Sequence, residues 1–598
     1  MYRNTGRLVK ASCTCRLYST STLPRPARQV SKAVLFGTSF AIASGTVWYI
    51  GQNSVFSDAA TVPEFTNPAD EQKLKNLSVP SVSADGTLNS FVWGSNKFNT
   101  ISPDDRMVDL FRLPTPVKWL QNVALRDLAL HERHAACVDA RGNVYQWGNG
   151  FFGVGPSDLK GQEWAPKQTL QGKDIVQLQL ADSRVFALSA SGQVYVLPSH
   201  PAVEDSVIST QPSTGASWWS LLGGQEDNIH YAEISPSESL SRREKFISIS
   251  AGSDHLLALT SSGRVFTHPI TKNANSHGQL GLRTFNVPDS SDPSSDSRVP
   301  VELIPKALAD PYAKATPLSR PTSAISQSPN LDKTDDQHIR WCDRLFEVPS
   351  LRGVNVDQIA AGKRNSFIKT TDGRVLGWGA NEYGQIGLGK SVTLETITRP
   401  TEVVLWRSVP KDVVSKCTGI SAGGDLTVFT VERSDGSAIR TIDVLTCGNG
   451  QWGGLGNALY RNAQNEPGRA KNVSGLLEFS EQTQNLQPIT PHAISISPSP
   501  AGHIVLTLDT QTHGGPGGSG RDVLLWGANY DWQLGNGKRS SLAVPTTLTR
   551  PDGSRFILAK AMASEVRDLE GRVWKRKVEV EQKAVAGWGN TIIYWRVC

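Results

Sequence analysis

Few side chains in this sequence are arranged in a way that suits catalysis or metal binding. In His131-Glu132-Arg133-His134 the two histidines are three positions apart, whereas a zinc protease motif needs them four apart on one helix face. The seven cysteines form no Cys-x-x-Cys pair, so neither a zinc site nor a dithiol redox site is indicated. The sequence also lacks a P-loop, a dinucleotide fingerprint and a Gly-x-Ser-x-Gly elbow. It therefore predicts a protein that is not an enzyme and that needs no metal ion or cofactor.

A different kind of candidate site is a short apolar cluster inside a polar stretch. Trp218, Trp219, Leu221 and Leu222 lie within the segment GASWWSLLGG. Tryptophan-rich clusters in loops commonly form the hot spots of protein interfaces, so these four residues are predicted to bind a partner. The alternative is that they pack against the edge of the folded domain.

The positive charge of the chain is concentrated in its leader. The 598 residues carry a formal net charge of +6. Residues 1–57 contain no acid and seven bases, which are Arg3, Arg7, Lys10, Arg16, Arg25, Arg28 and Lys32. Subtracting these seven from +6 leaves a net charge of −1 for the rest of the chain. A globally basic surface for nucleic acid is therefore not supported, because phosphate binding needs clustered Lys and Arg.

The leader predicts an organelle address followed by an anchor. An Arg- and Ser-rich segment without acids is typical of a mitochondrial presequence, which is assigned to residues 1–32. Residues 33–50 contain no charge and are close to the minimum length that spans a bilayer. They are predicted to form a single transmembrane helix in the inner membrane, with residues 51–84 as a linker. The alternative is a longer presequence or a linker, and the side of the membrane on which the body lies stays open.

The body of the chain repeats itself. Residues 134–153 and 365–384 both show an apolar strand, a turn with glycine, a strand that ends in Trp-Gly and a polar turn. Short tails of the type GQLG recur at residues 278–282, 453–457 and 533–537. The glycines suit tight hairpin turns. We expect the repeated Trp to pack between repeats, and the repeated His or Asn that opens the second strand to satisfy backbone groups.

These repeats resemble the RCC1 (regulator of chromosome condensation) family, whose repeats combine an AG-x-x-H/N strand start with a WG-x-N-x-x-GQLG half. The resemblance covers residues 85–598 and implies an all-β fold, a seven-bladed RCC1-like β-propeller. The first Trp-Gly half, at residues 90–96, has no full upstream partner, and the last half, at residues 586–594, has no downstream one. Joining the N- and C-terminal strands would complete one blade and close the ring.

Three connections are longer than such a ring requires, and one further stretch is unusually charged. The long connections are predicted as insertions at residues 199–245, 284–340 and 457–490. The charged stretch, at residues 563–585, alternates bases and acids. It is interpreted as a helix-like, solvated surface element rather than an RNA site.

The functional expectation comes from the resemblance. The combination of presequence, anchor and ring is similar to a fungal mitochondrial member of the family implicated in assembly of the cytochrome bc1 complex, respiratory complex III. That similarity implies a non-catalytic, single-pass inner-membrane scaffold whose partners are inner-membrane proteins, such as complex III subunits or their assembly factors. One alternative is a guanine-nucleotide exchange factor for a mitochondrial GTPase, since the founding member of the family is an exchange factor. Another is a factor that binds mitochondrial ribosomal RNA.

Overall fold

The structure, a computed structural model, describes most of the repeated body of the chain. The described residues are 80–83, 86–105, 108–153, 165–200, 231–288, 297–309, 339, 342–407, 409–436, 439–480, 483–510, 520–550 and 552–598. The predicted presequence, transmembrane helix and nearly all of the predicted linker lie outside them. Among the residues that are described, no helix is long and apolar enough to cross a membrane.

The described chain is almost entirely β-structure. In its first half the strands are β1 (Ser90–Ser95), β2 (Leu110–Val117), β3 (Ala124–Leu130), β4 (Ala135–Asp139), β5 (Val144–Trp147), β6 (Lys167–Leu170), β7 (Ile175–Leu180), β8 (Arg184–Ser189), β9 (Val194–Pro198), β10 (Ala232–Pro236), β11 (Phe246–Ala251), β12 (His255–Thr260), β13 (Val265–Pro269), β14 (Thr284–Pro288), β15 (Arg298–Glu302) and β16 (Arg344–Glu347). In its second half they are β17 (Val356–Ala361), β18 (Asn365–Thr370), β19 (Val375–Ala380), β20 (Thr396–Glu402), β21 (Val414–Gly423), β22 (Leu426–Ser434), β23 (Thr441–Gly450), β24 (Arg461–Arg469), β25 (Leu477–Ser480), β26 (Asn485–Pro488), β27 (Thr490–Ile496), β28 (His503–Thr510), β29 (Gly520–Gly527), β30 (Leu542–Thr547), β31 (Ile557–Arg567), β32 (Val573–Ala586) and β33 (Asn590–Val597). Short helical segments occur at α1 (Asn149–Phe152), α2 (Lys306–Ala309) and the 3₁₀ turn Pro349–Leu351.

The strands pair into antiparallel groups of four that recur along the chain, and each group is a blade. The blades are β3–β6, β7–β10, β11–β13 with β16, β17–β20, β21–β24 and β27–β30. Each innermost strand precedes the repeated His, Asn or equivalent residue, and each third strand carries the Trp-Gly pair or its substitute. The predicted all-β propeller architecture is therefore present.

One blade is assembled from both ends of the chain, as the out-of-phase repeats predicted. β1 pairs with β2 and, on its other edge, with β33, which pairs with β32. The glycine of the first Trp-Gly pair allows this close approach. Gly94 has φ +96°, and a Cβ at this position would lie 2.6 Å from the Cα of Asn590. The N- and C-terminal strands thus share one sheet, which removes two open edges.

The helix-like interpretation of residues 563–585 is wrong. These residues lie in β31 and β32, which form a long hairpin. Val578 and Val580 are both buried, with exposed Glu579 between them, and this alternation is the period of a strand. The charge pattern fits either a helix or a strand. The strand is stabilised by the pairing of β32 with the adjacent β33, which in turn pairs with β1 from the other end of the described chain.

The predicted insertions contain regular structure where the chain is described. The segment 199–245 includes β10, the outermost strand of its blade, and 284–340 includes the β14–β15 hairpin and α2. The segment 457–490 includes the outermost strand β24 and a separate hairpin, β25–β26.

Repeated tryptophans join three of the blades to the blade before them. The indole Nε1 atoms of Trp93, Trp378 and Trp526 donate to the carbonyls of Gln533, Gln279 and Gly454, at 2.8, 2.9 and 2.9 Å. These acceptors lie in the turn that follows the third strand of the preceding blade. The predicted packing role of the repeated Trp is therefore confirmed.

Repeated histidines make a second link, and its partner differs from the predicted one. His255 Nε2 is hydrogen-bonded to Ser366 Oγ at 2.8 Å, and the Ser366 hydroxyl donates to the Gln279 carbonyl at 2.8 Å. The histidine therefore reaches a hydroxyl of the next blade instead of a backbone group. The same carbonyl accepts the Trp378 indole, so three side chains from two blades meet on one turn.

Candidate interaction face around the central channel

The innermost strands surround a central channel. Residues of β3, β7, β11, β17, β21, β27 and β32 line a cavity of about 810 Å³. We call the face at which these strands end the upper face, and the face at which they begin the lower face. Because the channel is concave and is lined by strands of every blade, its wall and mouths are the first places to look for chemistry.

The polar groups of the channel wall are used to hold adjacent blades together. The Gln177 amide donates to the carbonyl of Ile249 at 2.9 Å and accepts from its N–H at 3.0 Å. Gln358 makes the same pair of bonds with Ile420. Because these amides replace backbone partners between blades, they provide rigidity rather than reactivity.

A salt bridge joins the first complete blade to the closing blade in the same wall. Lys583 Nζ lies 3.1 Å from Asp127 Oδ1, and the negative charge of Asp127 raises the pKa of Lys583 well above its usual value. The second oxygen of Asp127 accepts from the Leu178 N–H at 3.0 Å. The lysine is therefore held in its charged form and is not available as a base or a nucleophile.

The upper mouth contains the histidine pair that the sequence singled out. His131 Nε2 lies 3.1 Å from Asp182 Oδ1, and this hydrogen bond is the main cause that lowers the pKa of Asp182. His134 is fully buried, and burial lowers its pKa to about 3. The described residues contain no cluster of His, Cys, Asp and Glu suited to a metal ion. His131 thus serves a hydrogen bond between blades, and His134 is part of the core.

A second charged group lies on the upper face. Glu382 contacts Arg364 at 2.5 Å and His277 at 3.4 Å. Hydrogen bonds from His277 and Arg364 lower the pKa of Glu382 to about 2, even though partial burial opposes the shift. The carboxylate is therefore ionised over the whole physiological range and is neutralised by its neighbours.

The upper face also carries an arc of aromatic side chains. Phe98, Phe152, Tyr383 and Trp452 each stand five residues after Trp93, Trp147, Trp378 and Cys447, in the polar turn of successive repeats. In the remaining Trp-Gly repeat, Tyr530 and Trp532 flank the corresponding position. We call these six residues the aromatic collar. Tyr530 is exposed and the other five are half-buried.

Arginines lie against the collar. The guanidinium groups of Arg112 and Arg539 are 5.3 and 4.7 Å from the Trp532 ring, and that of Arg133 is 5.5 Å from the Phe98 ring. Half-exposed aromatic residues beside arginine are the composition that protein interfaces favour. The collar was missed in the sequence analysis. Its signal was present, because an aromatic residue follows Trp-Gly or Cys-Gly at a fixed distance in four repeats.

The four residues predicted to bind a partner cannot be related to this face. Trp218, Trp219, Leu221 and Leu222 lie outside the described residues, and their role stays a prediction.

The described cysteines show no reactive character. Cys137 and Cys447 are fully buried in β4 and β23. Burial raises the pKa of both thiols. Cys417 is also buried, and its pKa is raised to about 12, so these thiols stay protonated and behave as small core residues.

Comparison with family models identifies the repeat. Models described as the regulator of chromosome condensation (RCC1) repeat match residues 246–267 and 356–385, and a second model of the same repeat matches residues 372–430. The chain carries RCC1 repeats. These matches fall in strands β11–β13, β17–β19 and β19–β22, and they include His255, Ser366 and Trp378 of the links described above.

Curated relatives of this RCC1-repeat chain include mitochondrial proteins. Protein FMP25, mitochondrial, of Saccharomyces cerevisiae is 23% identical over 77% of this chain and 65% of its own length. RCC1 domain-containing protein RUG3, mitochondrial, of Arabidopsis thaliana is 30% identical over 27% of this chain and 35% of its own length. The chain therefore spans less than two thirds of either relative.

The chain is also similar to a solved structure. Prp20p of Saccharomyces cerevisiae, described with its binding to Gsp1p and histones, is 17% identical to the RCC1-repeat chain. The match covers 88% of this chain and 95% of that chain, with a TM-score of 0.49.

Proposed function

We propose that this protein is a non-catalytic mitochondrial scaffold that acts through protein–protein contacts in the assembly of respiratory complex III. The relatives named as mitochondrial support a mitochondrial location. The proposal adds a single-pass anchor in the inner membrane and a ring of seven blades, one of them shared by the two ends of the chain.

The observation that carries the proposal is the contrast between the channel and the upper face. The polar groups named in the channel wall bond to neighbouring blades, whereas the aromatic collar exposes large rings beside arginines. A rigid ring with such a face has the means to bind another protein. The collar extends over consecutive blades, so it suits a partner with a broad surface.

The proposal is tested by replacing two collar residues in living cells. Trp452→Ala together with Tyr530→Ala removes exposed ring area without touching the buried links between blades. The gene deletion is complemented with this variant, and low-temperature cytochrome spectra of isolated mitochondria are recorded. Selective loss of cytochrome b with cytochrome aa3 retained is expected, because complex III alone would fail to assemble.

A matched control keeps the result specific. Trp406 is an exposed tryptophan after the outermost strand β20, away from the collar, and Trp406→Ala should leave the spectrum unchanged. Equal losses of cytochromes b and aa3 in the collar variant would contradict the proposal and indicate a role in organelle translation or on a GTPase. A normal spectrum in both the deletion and the collar variant would also contradict it.

A further inference from the structure

The described chain begins on the lower face of the ring, beside a projecting hairpin. Ser81 Oγ accepts a hydrogen bond from Arg550 Nη2 at 3.2 Å. Val82 packs into the apolar cluster that contains Ala563, Val566 and Val578 of the β31–β32 hairpin. The chain that precedes residue 80 therefore enters the ring at this hairpin.

The neighbouring β25–β26 hairpin has its apolar side turned to solvent. Phe479 pairs with Leu486, and Leu477 with Pro488, so these four lie on one side. Phe479 and Leu486 are 52% and 44% exposed. On the other side, Glu478 and Gln487 line a cleft of about 440 Å³ together with Lys560 of β31. A strand pair with a polar inner side and an apolar outer side is the reverse of the usual pattern and indicates a surface that is covered in the working state.

The β31–β32 hairpin adds apolar and basic residues next to this side. Met562 is 65% exposed. Lys575, Arg576 and Lys577 are consecutive and exposed, with the Lys575 ammonium 5.9 Å from the ring of half-buried Trp574. Exposed aliphatic side chains flanked by Trp and by several Lys and Arg are typical of segments that insert into the boundary between lipid headgroups and acyl chains.

We propose that these two hairpins dock the lower face of the ring on an anionic lipid surface. Three features favour lipid over a protein partner. The chain that carries the predicted transmembrane segment enters on this face, the apolar residues project from hairpins rather than line a pocket, and the cations beside them match anionic headgroups. This inference rests on the proposed membrane tether. It leaves the aromatic collar on the upper face, directed away from the lipid.

The test is a depth measurement on the full chain in vesicles. The thiols of the leader and of the exposed C-terminus are first removed by the substitutions Cys13→Ser, Cys15→Ser and Cys598→Ser. A single label is then placed by Phe479→Cys or by Met562→Cys, with Leu394→Cys as the matched control. Leu394 is exposed in the turn before β20, at the upper side of its blade. Vesicles contain phosphatidylcholine with phosphatidylglycerol, and the phosphatidylcholine is brominated in its acyl chains.

Fluorescence quenching by the brominated lipid gives the result. The labels at positions 479 and 562 are expected to lose fluorescence and shift to the blue, whereas the label at position 394 keeps its intensity. Neutralising the cations by Lys575→Gln, Arg576→Gln and Lys577→Gln should reduce quenching at position 479. If the protein floats with the vesicles but no label is quenched, lipid docking is overturned while the tether stands. Quenching at position 394 equal to that at position 479 would overturn it as well.

Discussion

Ring closure depends on a small hydrogen-bonded cluster that can be disrupted without changing side-chain volume. His503 Nε2 bonds to Thr591 Oγ1 at 2.8 Å, and the Thr591 hydroxyl donates to the Gln533 carbonyl at 2.9 Å. The Trp93 indole donates to the same carbonyl at 2.8 Å. The cluster thus joins β1 and β33 of the closing blade to the preceding blade, β27–β30. Thr591→Val removes the hydroxyl and keeps nearly the same shape.

The expected cost follows from what the substitution leaves behind. Gln533 keeps the Trp93 indole as a partner, so the loss of its second bond costs about 1 kcal/mol. The Nε2 atom of His503 stays buried without a partner, which costs a further 1–3 kcal/mol or so. No cavity term is added, because the volume is conserved. We therefore expect the free energy of unfolding to fall by about 2–4 kcal/mol.

The reverse substitution is available elsewhere in the ring. Val185 occupies the position that corresponds to Thr591, and the neighbouring His134 Nε2 is buried without a hydrogen-bond partner in the structure. Val185→Thr supplies a hydroxyl there, and we expect it to stabilise the fold by about 1 kcal/mol.

Urea unfolding followed by tryptophan fluorescence measures both variants, with Thr490→Val on an exposed strand end as the control. If Thr591→Val unfolds at the same urea concentration as the control, the link does not contribute to closure and the reasoning is refuted.

Three further predictions concern pH, a buried ion pair and the C-terminus. Burial lowers the pKa of His503 from 6.5 to about 3, so only the unfolded chain binds this proton between those pH values. The histidine's contribution is complete above pH 6.5 and is lost as the pH falls. His503→Asn should therefore reduce the slope of unfolding free energy against pH by about 1.4 kcal/mol per unit in acid titrations. Arg433 Nε lies 2.7 Å from buried Asp443 Oδ2. Arg433→Met leaves that carboxylate with only the exposed Arg469, and should cost about 3 kcal/mol in urea unfolding, whereas Arg374→Ala at an exposed pair should change nothing measurable. Deletion of Val585–Cys598 removes β33 and should make β1 and β2 sensitive to limited proteolysis, and resistance equal to that of the intact chain would contradict the role of the clasp.

The repeat structure could be predicted because its signals are local. A Trp-Gly pair at the end of a strand needs a glycine with positive φ, and Gly94 shows this requirement in full. Apolar runs separated by glycine turns encode antiparallel strands over a few residues, so the all-β fold and the out-of-phase ends were visible in the sequence.

The partners of the repeated side chains could not be predicted in the same way. His255 and Ser366 are 111 positions apart. The sequence around His255 does not indicate that its partner is a hydroxyl group of the next blade. The aromatic collar had a periodic signal, but only the placement of each turn on the same face makes it a surface.

Local sequence is enough to specify a blade, because strand periodicity and turn glycines act over a few residues. Segments whose local pattern is ambiguous depend on contacts that form only in the folded chain. Residues 563–585 lie in strands of a β31–β32–β33 meander whose last strand pairs with β1 from the other end of the described chain. The side of the β25–β26 hairpin that faces solvent is set by the cleft beside β31. Local periodicity fixes which side chains share a side, whereas long-range pairing fixes which side is buried.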